Sequence, residues 1–133
     1  MYIFSKKNKK KLIACIFKFQ EKLSNRIDLS PPKELLQVGI IKIKKNYNLK
    51  KHLHTNILRT TKGTQETWII MKGQIQATYF DLDKKKISQR ILNKGDISIL
   101  YNGGHSLKCL KKNSIIYEIK NGPYKKNIDI ERF

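Results

Sequence analysis

Residues 66–100 read ETWIIMKGQIQATYFDLDKKKISQRILNKGDISIL, and this stretch decides the fold. ETWIIMKG is a β-branched and aromatic run that stops at Gly73. QIQATYFDL alternates apolar and polar residues, which is the two-residue period of a half-buried strand. DLDKKK is a charged turn, ISQRIL another strand, and NKGD a tight turn in which Gly95 is placed to take positive φ. ISIL follows as a short apolar strand.

Working outward, the same rhythm continues through HSLKCLKK and SIIYEIK on one side. On the other side LLQVGIIKIKK and LKKHLHTNILRT read as strands, parted by a polar NYN turn. Eight or so short strands with regular turn signals predict an all-β sandwich or barrel. At 133 residues the chain fits one barrel domain over 36–133. Residues 1–35 are expected to form a basic N-terminal arm and a short N-terminal helix. Leu12, Ile13, Ile16, Phe17, Phe19 and Leu23 fall close to helical spacing, and Pro31 and Pro32 follow. The apolar part is too short for a secretory leader or a bilayer span, so docking of the helix on its own domain is expected, with no transmembrane segment.

The net charge is +19, but only four of the 29 basic residues are Arg (Arg26, Arg59, Arg90, Arg132). Arg is the residue that reads phosphates and bases bidentately. The Lys, Ile and Asn excess points to a coding bias and a solvated surface, and no specific nucleic-acid partner is expected. Cys15 and Cys109 fit no metal-knuckle or redox spacing, which suits free thiols in a reducing cytoplasm.

Three elements carry candidate chemistry. His52 and His54, two apart on an expected strand, project to one face about 7 Å apart, where they can chelate one metal or act as a proton-transfer pair. Glu66 opens the next strand and faces back toward His54 if the two strands form a hairpin; a carboxyl at such a position calls for a partner inside. His105 follows Gly103 and Gly104, whose lack of side chains lets the chain turn sharply and brings the imidazole to the barrel mouth. On that expectation the three histidines meet around one site. Arg59, Arg90, Tyr101, Glu118 and Lys120 are candidates for binding a small polar ligand, and Tyr124 in the GPY turn is a candidate acid or base beside His52 and His54.

His52, His54, Glu66 and Gly73, followed by Gly95, Asp96, Gly103 and His105, resemble the two motifs of the cupin superfamily. LQV, KHLH, GTQE, GGH, YEIK, GPY and the closing DIERF resemble more narrowly a group of bacterial cupin-fold proteins met among polysaccharide biosynthesis genes. The resemblance implies a jelly-roll β-barrel with one divalent metal ion (Fe, Mn, Ni or Zn) held by His52, His54, Glu66 and His105. The spacing between His54 and Glu66 is longer than the family's, which makes Glu118 an alternative fourth ligand. It further implies a sugar or sugar nucleotide as ligand and a homodimer. Two alternatives stand beside it: a metal-free sugar-nucleotide isomerase or epimerase using His and Tyr as base and acid, and a non-catalytic ligand-binding cupin.

Overall fold

In the computed structural model, described for all residues except Tyr124, Lys126 and Asn127, the chain forms ten strands in antiparallel sheets. They are β1 (Tyr2–Phe4), β2 (Leu12–Phe17), β3 (Arg26–Asp28), β4 (Gly39–Ile41), β5 (Glu66–Lys72), β6 (Gln74–Phe80), β7 (Lys86–Asn93), β8 (Ile97–Leu100), β9 (Gly104–Cys109) and β10 (Ile115–Lys120). No helix occurs among the described residues.

The stretch from Glu66 to Leu100 forms the four strands β5 to β8, with Gly73 at φ 81° and Gly95 at φ 86° in the connecting turns. Asp96 braces the second turn. Its carboxylate accepts the Asn93 and Phe19 backbone N–H groups at 2.8 and 2.9 Å and pairs with Lys18 Nζ at 2.6 Å.

Pairing across the molecule is nested: β5 runs against β10, and β6 against β9. The result is a five-stranded sheet, β1-β2-β8-β5-β10, facing a three-stranded one, β7-β6-β9. Between them lies the main core, with Ile13, Trp68, Ile70, Ile75, Tyr79, Leu92 and Leu100 all buried. The β3–β4 hairpin is a third, two-stranded sheet; Ile27, Val38 and Ile40 cover the opposite face of the large sheet over Cys15, Ile97, Ile99 and Tyr101.

Several expectations need correction. The sheets are not closed into a barrel. The N-terminal helix is absent: Leu12–Phe17 is β2, paired with β1 and with β8. Central strands covered on both faces read as continuous apolar runs, and such a run matches helical spacing as readily as strand spacing. Of LLQVGIIKIKK only Gly39–Ile41 is a strand, and residues 42–65 hold none. The hairpin expected between LKKHLHTNILRT and β5 is therefore not made. The neighbours of β5 are β8 and β10.

Candidate functional site

Three strand ends converge where the two facing sheets meet. The β5–β10 register sets Lys120 directly opposite Glu66 and Glu118 opposite Trp68. Side chains two apart on a strand share a face, so Glu66 and Trp68 point inward with Ile70 toward the core. From the other sheet, His105 on β9 is opposite Tyr79, a residue of the core. Cross-strand partners share a face, which turns the imidazole toward Glu66 and Trp68, although His105 sits at the open end of the sheets with about a third of its side chain (34%) exposed.

The approach to His105 depends on the glycine before it. Gly103 has φ 70°, and a Cβ there would run into the Phe80 carbonyl oxygen. A Cβ on Gly104 would lie 2.6 Å from the Phe133 ring.

Glu66 is buried. Trp68 Nε1 donates a hydrogen bond to its Oε1, and His105 Nε2 lies 3.8 Å from the same oxygen. Lys120 Nζ lies 3.3 Å from Oε2 and 3.0 Å from Glu118 Oε2. The Trp68 and His105 rings meet edge to face with centroids 5.2 Å apart. Desolvation lowers the His105 pKa, the Lys120 charge lowers it further, and Glu66 opposes both. Burial acts to lower the Lys120 pKa, but its hydrogen bond to Glu118 and the charge of Glu66 prevail and raise it. Burial likewise acts against ionised Glu118, whose pKa is nonetheless held low by hydrogen bonds that include Lys120.

Glu66, His105 and Lys120 open on a cleft of about 410 Å³, which Lys84, Asn102 and Phe133 also line. Phe133 packs edge to face on Phe80 at 5.3 Å, and Lys84 Nζ bonds Glu131 Oε1 at 2.6 Å, so the segment around residues 129–133 walls one side. The arrangement has one neutral imidazole, one carboxyl group and one ammonium facing a concavity. Such a set can bind hydroxyl or carbonyl oxygens and move a proton.

Of the expected site residues, the structure brings together Glu66, His105 and Lys120 in the cleft, with Glu118 joined to them through its ion pair with Lys120. The shared three-histidine site is not assembled. His52 and His54 are exposed on the strandless segment, their rings 5.5 Å apart, with His52 Nδ1 2.9 Å from the Lys50 carbonyl oxygen, and neither lines the cleft. Without a strand to carry them, these two residues have no sheet face to share. Arg59 is exposed on the same segment, and Arg90 is exposed on β7, donating to the Gln89 carbonyl. Tyr101 is buried on the other side of the large sheet, its hydroxyl bonded to Ser30 Oγ at 3.1 Å and its pKa pushed up to about 12 by burial. Tyr124 lies outside the described residues. Among the described residues no three His, Cys, Asp or Glu side chains are grouped as a metal site.

Three contributors escaped the sequence reading. Trp68 reads as core, yet its indole N–H also holds Glu66; the Glu-x-Trp spacing on one strand is the signal. Lys84 and Phe133 carry no local signal, because only the fold sets them beside His105.

No family model matches this chain, and comparison with curated proteins and with solved structures finds no significant match. No described helix is long and apolar enough to cross a membrane.

Proposed function

We propose that the cleft at Glu66, His105 and Lys120 binds a small polar ligand of the sugar class, free or nucleotide-linked, and that His105 acts in it as a proton acceptor. The observation that carries this reading is the convergence of three complementary groups from two sheets on one concave opening. A lowered pKa keeps the imidazole uncharged near neutrality, the state a general base needs. Lys120 stays cationic and can offset negative charge developing on a carbonyl oxygen. Glu66, fixed by Trp68, orients both. Proton abstraction beside a carbonyl, as in keto-sugar isomerisation, is the reaction class this set suits. Binding without turnover is the plainer form of the same proposal.

The nested β5–β10 and β6–β9 pairings support a jelly-roll relationship, and with it the cupin resemblance. The ligand set that resemblance implies does not fit a metal as placed. Two of its histidines lie outside the cleft, and the Lys120 ammonium stands beside Glu66 where a cation would be. No step is therefore assigned to a metal. The expected homodimer draws support from β10, an edge strand whose Ile115, Tyr117 and Ile119 are exposed.

Calorimetry against a panel of hexoses and nucleotide-linked hexoses tests the proposal. Binding should weaken at least about tenfold in His105→Ala and in Lys120→Ala, the loss of one charged or hydrogen-bonded contact. Wild-type affinity in both variants would overturn it. Stoichiometric metal in untagged protein, with ligand binding lost on chelation, would favour the metal-dependent reading instead.

A further inference from the structure

A second cavity, of about 490 Å³, opens at the same end of the large sheet, and Asn102 lines both it and the cleft. Lys10, Lys11, Lys33 and Lys62 surround it, and its floor includes Gln65 and Tyr101. We propose that this cavity binds a phosphorylated small molecule through those four lysines.

The charge balance sets this cavity apart from the basic surface in general. Among the described residues none of the four lysines has a carboxylate within ion-pair distance. The one acidic residue in the wall, Glu34, already accepts a hydrogen bond from Gln65 Nε2 at 2.7 Å. A third concavity provides the contrast. It too is lined by four lysines, Lys6, Lys7, Lys85 and Lys86, but Asp81 and Asp83 stand among them, and Asp83 pairs with Lys7 and Lys85 at 3.8 and 3.5 Å. Like charges gathered around a concavity without counter-charge raise the local potential and draw in anions.

The floor is built rather than open. Gln65 and Tyr101 are buried, and Gln65 is held from three sides: its side-chain oxygen accepts the Leu36 N–H at 2.8 Å, its side-chain nitrogen meets Glu34, and its own N–H meets Asn121 Oδ1 at 2.6 Å. The lysines therefore flank a fixed polar base. A compact anion of a few charged oxygens, seated in this half-open cavity among exposed lysines, matches its size. A nucleic-acid strand needs a long groove with aromatic platforms, and this wall supplies one tyrosine whose hydroxyl is engaged by Ser30. The inference does not depend on the reading of the His105 cleft.

The test uses inorganic pyrophosphate and ADP as probes, with affinity read by calorimetry at about 0.15 M salt. Lys33→Glu/Lys62→Glu should weaken both probes at least about tenfold, since two reversed charges act on a multiply charged anion. The control is Lys72→Glu/Lys94→Glu, at the opposite end of the same sheet, which carries the same net-charge change and should shift affinity less than about twofold. Lys10→Gln/Lys11→Gln, a milder change, should give an intermediate loss. Equal losses in the two charge-reversed variants would overturn the proposal and leave only non-specific attraction by the +19 chain. It would also be overturned by an oligonucleotide competing far better than ADP, which would assign the lysines to nucleic acid. His105→Ala should leave pyrophosphate affinity unchanged, so failure of the cleft reading and failure of this one are told apart.

Discussion

Lys120 Nζ sits 3.3 Å from Glu66 Oε2, and the two residues are direct partners in the β5–β10 ladder. The pair brackets His105 with opposite influences: Glu66 raises its pKa, and Lys120 lowers it. Removing each charge should therefore move the histidine in opposite directions. Lys120→Gln should raise the His105 pKa, and Glu66→Gln should lower it further. Titration of the imidazole signals by NMR checks both signs, and a shift of the same sign in both variants would refute the arrangement.

The lowered His105 pKa also sets a pH dependence. Desolvation holds the folded value below the ordinary imidazole value of about 6.5. The unfolded chain thus takes up the proton first as pH falls. The contribution to stability is full above about pH 6.5 and is lost as pH drops through the lowered value. Urea unfolding at pH 7.5 and pH 5 should show a smaller decrease for His105→Gln than for the wild type. Proton-acceptor activity should fall over the same acidic window.

Gly103→Ala should destabilise the fold by about 1–3 kcal/mol, because it combines a left-handed backbone with a clash against the Phe80 carbonyl. Gly63 is the control: it has φ 82° but nothing within 4 Å of an added Cβ. Gly63→Ala should cost only the backbone preference, about 1 kcal/mol. Denaturant midpoints of the two variants measure the difference, and equal costs would remove the steric role assigned to Gly103.

Tyr79 and Ser98 share a hydrogen bond of 2.8 Å across the core, and both are fully buried. Tyr79→Phe leaves the Ser98 hydroxyl without that partner and should cost about 1–2 kcal/mol. The double variant with Ser98→Ala should cost less than the sum of the two single changes. The phenol itself should ionise only at about pH 12, since burial is the main cause of its raised pKa. Ultraviolet titration reads this directly.

His52→Ala/His54→Ala should change stability by less than about 0.5 kcal/mol, as expected of exposed positions outside the core. It should also leave ligand affinity in the His105 cleft unchanged. A loss comparable to that of His105→Ala, measured in the same calorimetric assay, would bring the two histidines back into the site.

Alternation and turn chemistry made the half of the chain from Glu66 onward legible. β5 to β10 fall where the apolar period and the glycine turns put them, because each of those signals acts over a few residues. The place of His105 near the start of β9 was readable for the same local reason: it follows two glycines. The neighbours of that histidine were not readable. Glu66 joins it through the packing of two sheets, and Lys120 joins Glu66 through a pairing 54 positions long in the chain.

The amino-acid sequence by itself determined that this is a β protein, where its later strands start and stop, and that His105 and Glu66 stand near strand ends. These follow from backbone preference and side-chain period, which are local. Only the tertiary structure decided that LIACIF is a central strand, since its character depends on what covers each face. It also decided that His52 and His54 lie apart from His105, because no sheet takes up their segment. The same holds for the meeting of Glu66, Lys120 and His105 in one cleft, since strand order and register are settled by burial of the whole core rather than by any short stretch of residues.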